Sequence, residues 1–278
     1  NAIVFANSVL GARTDRYGDF LDICAAITGR APRAGFHLDE ARRAAFVIDV
    51  SAVAPHRWDD SAWYAVLGHL LGGLAGQRVG AIVGLPSSTN EDDLKALGAA
   101  AASGGGVGLF HAVGVTPEAP TLEAVVAQED PEVHVFVDAD LVAARRGLCT
   151  ADGSRIDAIS LGTPHASLTE IKALAEEVER TATVVADGVT AYVSTGRGVL
   201  ALADAADLVE PLKAAGFTFV VDTCTYLVPI LPEGTRVVMT NSGKWAHYAP
   251  GNLGIDVVLG SLVECVAAAG AGRVALDV

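Results

Sequence analysis

Basic residues are scarce in this 278-residue chain: 19 Lys and Arg stand against 33 Asp and Glu, a formal net charge of −14. No basic stripe is left to neutralise phosphates, so nucleic acid is excluded as an expected partner. Long apolar runs are missing as well. The richest, AWYAVLGHLLGGLA over 62–75, contains His69 and soon meets Arg78, short of the ~20 residues that a spanning helix needs. No basic start followed by an apolar stretch resembles a signal peptide. A soluble, cytoplasmic protein without a membrane partner is expected. Aromatics make up only 6% of the chain and Met occurs once. Cysteines number four, at 24, 149, 224 and 265, too few and too scattered for a disulfide scaffold. No Cys-x-x-Cys occurs, so no compact zinc or ferredoxin spacing is present. The initial Met is absent too, and a start at Asn1 running straight into AIVF reads as a chain cut from something longer.

What the chain has is apolar content: 51% hydrophobic residues, with 30 glycines that follow no period. Disorder and collagen-like classes are thereby excluded, and one large domain or two smaller ones will fit. Val-rich runs alternate with Ala/Leu-rich amphipathic ones, the pattern of strands alternating with helices around a largely parallel sheet. Strands are expected over 44–50, 79–83, 107–113, 133–137, 158–161, 183–186, 191–194, 218–222, 236–239 and 255–259. Helices are expected over 60–75, 90–102, 121–128, 168–181, 197–206, 209–215 and 262–269. Ser167–Glu170 (SLTE) fits a capping box that starts the helix at 168. Asn90 opens another helix, and Gly72-Gly73 weaken the one before it.

In parallel sheets functional groups collect at the carboxyl ends of strands, and four polar loops follow apolar runs here. The first, NSVLGARTDRYGD from Asn7, follows AIVFA, read as a strand. It holds Ser8, Arg13, Thr14 and Arg16, either a carboxylate clamp built on guanidinium forks or a solvated loop with ion pairs among Arg13, Asp15, Arg16 and Asp19. The second, LGTPHAS over 161–167, sets His165 beside a helix N-terminus. That histidine either orients an anion and moves protons or bonds to backbone. In the third, VVDTCTY over 220–226, Cys224 is a ligand, a nucleophile or a packed core thiol. The fourth, MTNSGKWAHYAPG over 239–251, crowds Asn241, Ser242, Lys244 and His247 together. Its Ser-Gly-Lys resembles the tail of a P-loop but lacks the glycine pattern, which excludes nucleotide binding on that ground. Cys265 follows in GSLVEC over 260–265.

Taken together, NSVLGARTDRYGDFLDICAAITGRAP (7–32), LGTPHASLTE (161–170), VDTC (221–224), TNSGKWAHYAPG (240–251) and GSLVEC (260–265) resemble the aconitase X family of dehydratases. The resemblance implies an α/β fold, a three-layer α/β/α catalytic body with largely parallel sheets, of which residues 1–278 are a part. It also implies an iron-sulfur cluster as cofactor and a small domain or subunit beyond these residues, source of the catalytic base. Family members dehydrate cis-3-hydroxy-L-proline or mevalonate 5-phosphate; DRYGDFLDIC after GART resembles the hydroxyproline branch, whereas the archaeal pattern continues Asn-Arg-Glu-Gly-Gly. Cys224 and Cys265 match cluster cysteines. The third, in the archaeal Gly-Cys-Pro-His, is Thr163 here, and Cys24 is the candidate replacement, with Cys149 structural. Three thiolates leave one iron open to the substrate hydroxyl. Catalytic roles fall on His165 and Lys244, and binding of a small carboxylate substrate on Ser8, Arg13, Thr14, Arg16, Ser167, Asn241 and Ser242. The competing expectation of a different class is a non-catalytic body that keeps the fold without a cluster.

Overall fold

The computed structural model describes residues 1–18, 20–151, 155–274 and 276; Asp19 of the first polar loop lies outside them. The chain forms two compact units, unit 1 from residues 1–59 and 67–140 and unit 2 from residues 60–66 and 141 onward. In chain order come α1 (Ala2–Ser8), α2 (Phe20–Thr28), β1 (Phe46–Asp49), α3 (Ser61–Ala75), β2 (Gly80–Val83), α4 (Glu91–Gly105), β3 (Phe110–Ala112), β4 (Glu132–Val135) and α5 (Asp138–Gly147). No helix among the described residues is long and apolar enough to cross a membrane.

Unit 1 carries a parallel sheet in the order β3-β2-β1-β4. Its core is set by Phe46, Ile48, Ile82 and Phe110, all without solvent exposure. Asn90 caps α4 as expected, taking the amides of Asp92 and Asp93 while Asp93 returns to the Asn90 amide. Gly68 and Gly72 of α3 let it approach α4. A Cβ on Gly68 would lie 2.1 Å from Leu97 O, and one on Gly105 would lie 2.0 Å from Gly72 O.

Two expectations in unit 1 are corrected. AIVFA is the start of α1, not a strand: Val4 is 1% exposed and packs over Gly98 of α4, whose missing side chain leaves the room. Residues 121–128 form turns rather than a helix. Ala44 N–H donates to Val125 O and Ala127 N–H to Ala44 O, a strand-like pairing that a helix would forbid. Helices α2 and α5 were not anticipated.

Unit 2 continues with β5 (Ala158–Ala166), α6 (Leu168–Thr181), β6 (Thr190–Thr195), α7 (Arg197–Ala205), α8 (Val209–Ala214), β7 (Phe217–Val221), β8 (Val237–Thr240), α9 (Gly243–Leu253), β9 (Asp256–Leu259) and α10 (Leu262–Ala271). Its five strands are parallel in the order β7-β6-β5-β8-β9. Alternation along the strands assigns the two faces. Ile159, Leu161, Val193, Met239 and Val258 join one apolar cluster with Ile171 and Leu174 of α6 and Cys265 of α10. Ser160 and Thr240 point the other way, toward α9. Unit 2 is therefore a three-layer α/β/α arrangement, as the family resemblance implied. The SLTE capping box is present: Ser167 Oγ accepts Glu170 N–H at 3.1 Å and Glu170 Oε2 accepts Ser167 N–H at 2.8 Å.

Residues 183–186 are a correction here. Instead of joining the ladder, Val185 N–H donates to Ala215 O and Ala186 N–H to Ala269 O, so the segment ties the ends of α8 and α10 together. The polar run after β8 is also more ordered than a loop, because Ser242 Oγ accepts Trp245 N–H and starts α9.

Gly68→Ala is expected to destabilise the protein by about 1–3 kcal/mol, since backbone rather than a flexible side chain blocks the new methyl. Gly73→Ala, in open space on the same helix, is expected to be neutral or stabilising by up to about 1 kcal/mol. Denaturant midpoints of the two variants provide the comparison.

Candidate active site

The strand order of unit 2 reverses between β5 and β8: β6 and β7 add on one side of β5, while β8 and β9 add on the other. Connections after β5 and β8 leave on opposite faces, into α6 and α9, and open a crevice at the carboxyl ends of these strands, the place where open α/β sheets bind ligands. Two of the four polar loops, 161–167 and 239–251, flank that point.

Loop geometry follows from the register. β5 pairs Leu161 with Val193 and then Ala166 with Thr195, so residues 162–165 bulge out opposite Ser194. Gly162 begins the bulge at φ +80°, where a Cβ would lie 2.5 Å from Ser194 O; only glycine fits. The bulge is tied to the neighbouring loop by Gly162 N–H donating to Asn241 Oδ1 at 3.3 Å. It leaves two buried hydroxyls, Thr163 Oγ1 and Ser194 Oγ, without hydrogen-bond partners among the described residues. Each such group costs about 1–3 kcal/mol, and a pair of them at a strand-end crevice marks a place that a ligand can satisfy.

Cys224 lies at the end of the third loop, buried, with its thiol donating to Pro164 O at 3.7 Å. Burial pushes this thiol above its ordinary range, while Lys244 pulls the other way. Burial likewise lowers Lys244 below an ordinary lysine, opposed by Cys224. Each group is thus sensitive to charge arriving beside it. Lys244 Nζ sits 5.9 Å from the centre of the Tyr226 ring, which stacks on Tyr248. Burial, ahead of Cys224 and Tyr248, pushes the Tyr226 hydroxyl up. Behind this group Thr225 Oγ1 accepts Trp245 Nε1–H at 2.7 Å and lies 2.7 Å from Ser160 Oγ, locking the third loop to β5 and α9.

His165 is half-buried. A Cβ on Gly196 would be 4.0 Å from its Nδ1, so the ring lies over the start of α7. Asp222 caps that helix from the end of β7, accepting Arg197 N–H at 3.0 Å and a second bond from Arg197 Nε. These bonds hold the Asp222 carboxyl below the usual range, with His165 adding to the effect. Asp222 stands at φ +58°, a conformation that side chains with a Cβ seldom adopt and that collects at functional sites. Sequence reasoning missed Asp222, Thr163 as a site hydroxyl, Ser194 and Tyr226; the non-glycine left turn after VV was not legible locally.

Other candidates have structural duties. Ser167 and Ser242 cap helices. In unit 1, Ser8 Oγ accepts Phe110 N–H at 2.9 Å, and Thr14 bonds Asn7 and Tyr17. Arg13 pairs with Asp39 and His37 O. Arg16 donates to Gly106 O and Gln77 O and lies over Phe36. Unread in the sequence, Arg42 is 3% exposed and binds Asn7, Phe36 O, Ala12 O and Glu118.

The cysteines test the cluster expectation. Cys24 is exposed on α2 in unit 1. Cys265 is enclosed in the apolar core of unit 2, its thiol pushed well up by burial. Cys149 donates to Arg145 O and accepts Leu259 N–H, a structural role. Among the described residues no group of three His, Cys, Asp or Glu could hold a metal ion. Unit 2 alone does not fit a three-thiolate cluster; Cys224, beside the crevice, is the thiol that a ligand can reach.

Family models of the aconitase X first, second and third domains match residues 1–40, 44–146 and 156–271. The cis-3-hydroxy-L-proline dehydratase of Hypocrea jecorina is 42% identical over 97% of this chain, which covers 46% of that relative. The phosphomevalonate dehydratase large subunit of Methanothermobacter thermautotrophicus is 38% identical over 93% of this chain, which covers 61% of it. The crystal structure of Thermococcus kodakaraensis aconitase X in its holo-form superposes with a TM-score of 0.83 at 33% identity, over 96% of this chain and 66% of that one. The chain thus spans about half to two thirds of the length of these proteins.

Cys224→Ser is expected to lower the iron and sulfide content of the complete, anaerobically purified protein, and Cys149→Ser to leave it unchanged. Loss on Cys149→Ser alone would refute this ligand assignment.

Proposed function

Because the chain belongs to the aconitase X family, we propose that it forms the larger part of the catalytic body of a hydro-lyase that dehydrates a small hydroxy acid, cis-3-hydroxy-L-proline, to a pyrroline-2-carboxylate. What carries the reading is the crevice between β5 and β8, where Lys244, Cys224, His165 and two unpartnered hydroxyls lie at the carboxyl ends of strands. The sequence likeness to a cis-3-hydroxy-L-proline dehydratase supports the choice of substrate.

Dehydration removes a proton from the carbon beside the carboxylate and expels the neighbouring hydroxyl. The C–H electron pair becomes the new double bond, and the departing oxygen leaves as water once it gains a proton. His165 is placed to deliver that proton, with Asp222 holding one side of its surroundings. Lys244 takes the carboxylate end. An arriving anion favours its ammonium form, and the low-dielectric setting strengthens the attraction to charge that grows during proton removal. Thr163 and Ser194 offer hydroxyls to the substrate's polar atoms. The proton acceptor is assigned to the part of the enzyme beyond this chain, fused or a separate subunit, in keeping with a relative that is a large subunit. The iron-sulfur cluster implied by the family resemblance stays a proposal, and no step here passes through it.

Mevalonate 5-phosphate is the alternative substrate, favoured by the likeness to a phosphomevalonate dehydratase subunit. A phosphate dianion needs several cations. In the crevice, Arg197 is already paired with Asp222 and does not serve such a dianion. Both compounds are to be assayed with the complete enzyme. Turnover of cis-3-hydroxy-L-proline at least about a hundredfold above that of the phosphate, a gap of roughly 2.7 kcal/mol in the barrier, is expected; turnover of the phosphate alone would overturn the proposal.

A further inference from the structure

Unit 1 holds a cavity of about 320 Å³ lined by Arg13, Asp39, Arg42, Arg43, His111 and Glu118, and none of the chemistry proposed above uses it. Two of its three arginines are neutralised on the spot. Arg42 takes Glu118 as a two-point fork at 2.8 and 2.7 Å, and Arg13 takes Asp39. Arg43 makes no close ion pair among the described residues, although Asp39, already held by Arg13, feels its charge; its hydrogen bond there runs from Nη1 to Val126 O at 3.2 Å. The wall therefore carries one uncompensated positive charge.

His111 adds a directional group. The side chain is 2% exposed, and its Nε2 lies 2.7 Å from Arg42 O. A carbonyl can only accept, so Nε2 carries the proton and Nδ1 is left as an acceptor with no partner among the described residues. Burial lowers the affinity of the ring for a second proton, which keeps that lone pair available.

We propose that this cavity binds a small monocarboxylate that also bears an O–H or N–H donor, a hydroxy or amino acid. The carboxylate pairs with Arg43, and the donor meets His111 Nδ1 or the Glu118 carboxylate. One net positive charge matches one carboxylate. A phosphate dianion would face Glu118 and Asp39 with a single free cation, and a plain cation would meet Arg43. A volume near 300 Å³ is at the small end of ligand sites and suits an acid of a few carbons. The inference concerns unit 1 alone and does not rest on the dehydration reading.

Calorimetric titration of the complete protein with glycolate, acetate and inorganic phosphate tests it. Glycolate is expected to bind in the millimolar range. Acetate, without the donor, should bind at least about threefold more weakly, and phosphate not measurably. Arg43 is exposed, so Arg43→Gln should fold normally and weaken glycolate about tenfold or more, while Arg43→Lys retains part of the affinity. Lys244→Met, in unit 2, removes any binding at the crevice and should leave the Arg43-dependent glycolate binding unaltered. Glycolate affinity unchanged by Arg43→Gln, abolished by Lys244→Met, or absent altogether would overturn the proposal. Competition separates the sources of the ligand. Displacement of glycolate by cis-3-hydroxy-L-proline in a Lys244→Met background identifies the substrate itself as occupant, and persistence of glycolate identifies a separate small acid. Absence of dehydratase turnover would refute the function proposed above while leaving this binding measurement intact.

Discussion

Reversal of the strand order between β5 and β8 is the constraint from which the candidate site follows. Two adjacent parallel strands whose chains depart to opposite faces cannot close the space above their carboxyl ends. The protein fixes the edges of that opening with buried hydrogen bonds instead. Ser160, Thr225 and Trp245 form one connected group without solvent exposure, and Thr240 Oγ1 donates back to Ser160 O at 2.7 Å. With the edges fixed, the bulge at 162–165 can present His165 and the buried Thr163, and the start of α9 can present Lys244. Unsatisfied hydroxyls and a strained Asp222 persist because the surrounding β-ladder over-determines them.

Unit 1 uses a comparable device for a different purpose. Arg42 threads a buried position and donates to the carbonyls of Asn7, Ala12 and Phe36 while pairing with Glu118. One guanidinium thereby fixes the segment that carries Arg13 and Thr14. Breaking such a buried pair by removing one partner costs far more than the pair contributes against a well-packed apolar alternative. Its value is geometric, since several backbone carbonyls depend on a single fork of donors.

Periodicity made the sheet residues legible, and capping chemistry did the same for Asn90 and Ser167. Each signal is local: alternation along a strand, or a hydroxyl three residues before a carboxylate. The errors came where distant contacts decide. AIVF reads as a strand until Gly98 offers it a helix surface. Residues 121–128 have helical composition, yet Ala44 claims their backbone. The run 183–186 is Val-containing and extended but bonds to the ends of two helices. In the crevice, Cys224, His165 and Lys244 drew attention in the sequence because each follows an apolar strand. Asp222 as a left-handed cap and Ser194 as an orphan hydroxyl were not, since both depend on a register that only the assembled sheet fixes. The arginines of the first loop show the converse. Their spacing suggested a clamp, but Arg13 and Arg16 are occupied by protein partners, and Arg43, in an unremarked stretch, makes no close ion pair among the described residues.

Everything proposed for unit 2 turns on Lys244 acting on a substrate in the crevice rather than packing against Tyr226. The direct measurement is the turnover number of the complete enzyme carrying Lys244→Met with cis-3-hydroxy-L-proline, with near-ultraviolet circular dichroism to certify the fold. A loss of about a hundredfold or more, the usual size of a positioned proton-transfer or charge-stabilising group, with an unchanged spectrum is expected. Turnover within about threefold of the unaltered enzyme, less than 1 kcal/mol of barrier, would contradict the placement of the site.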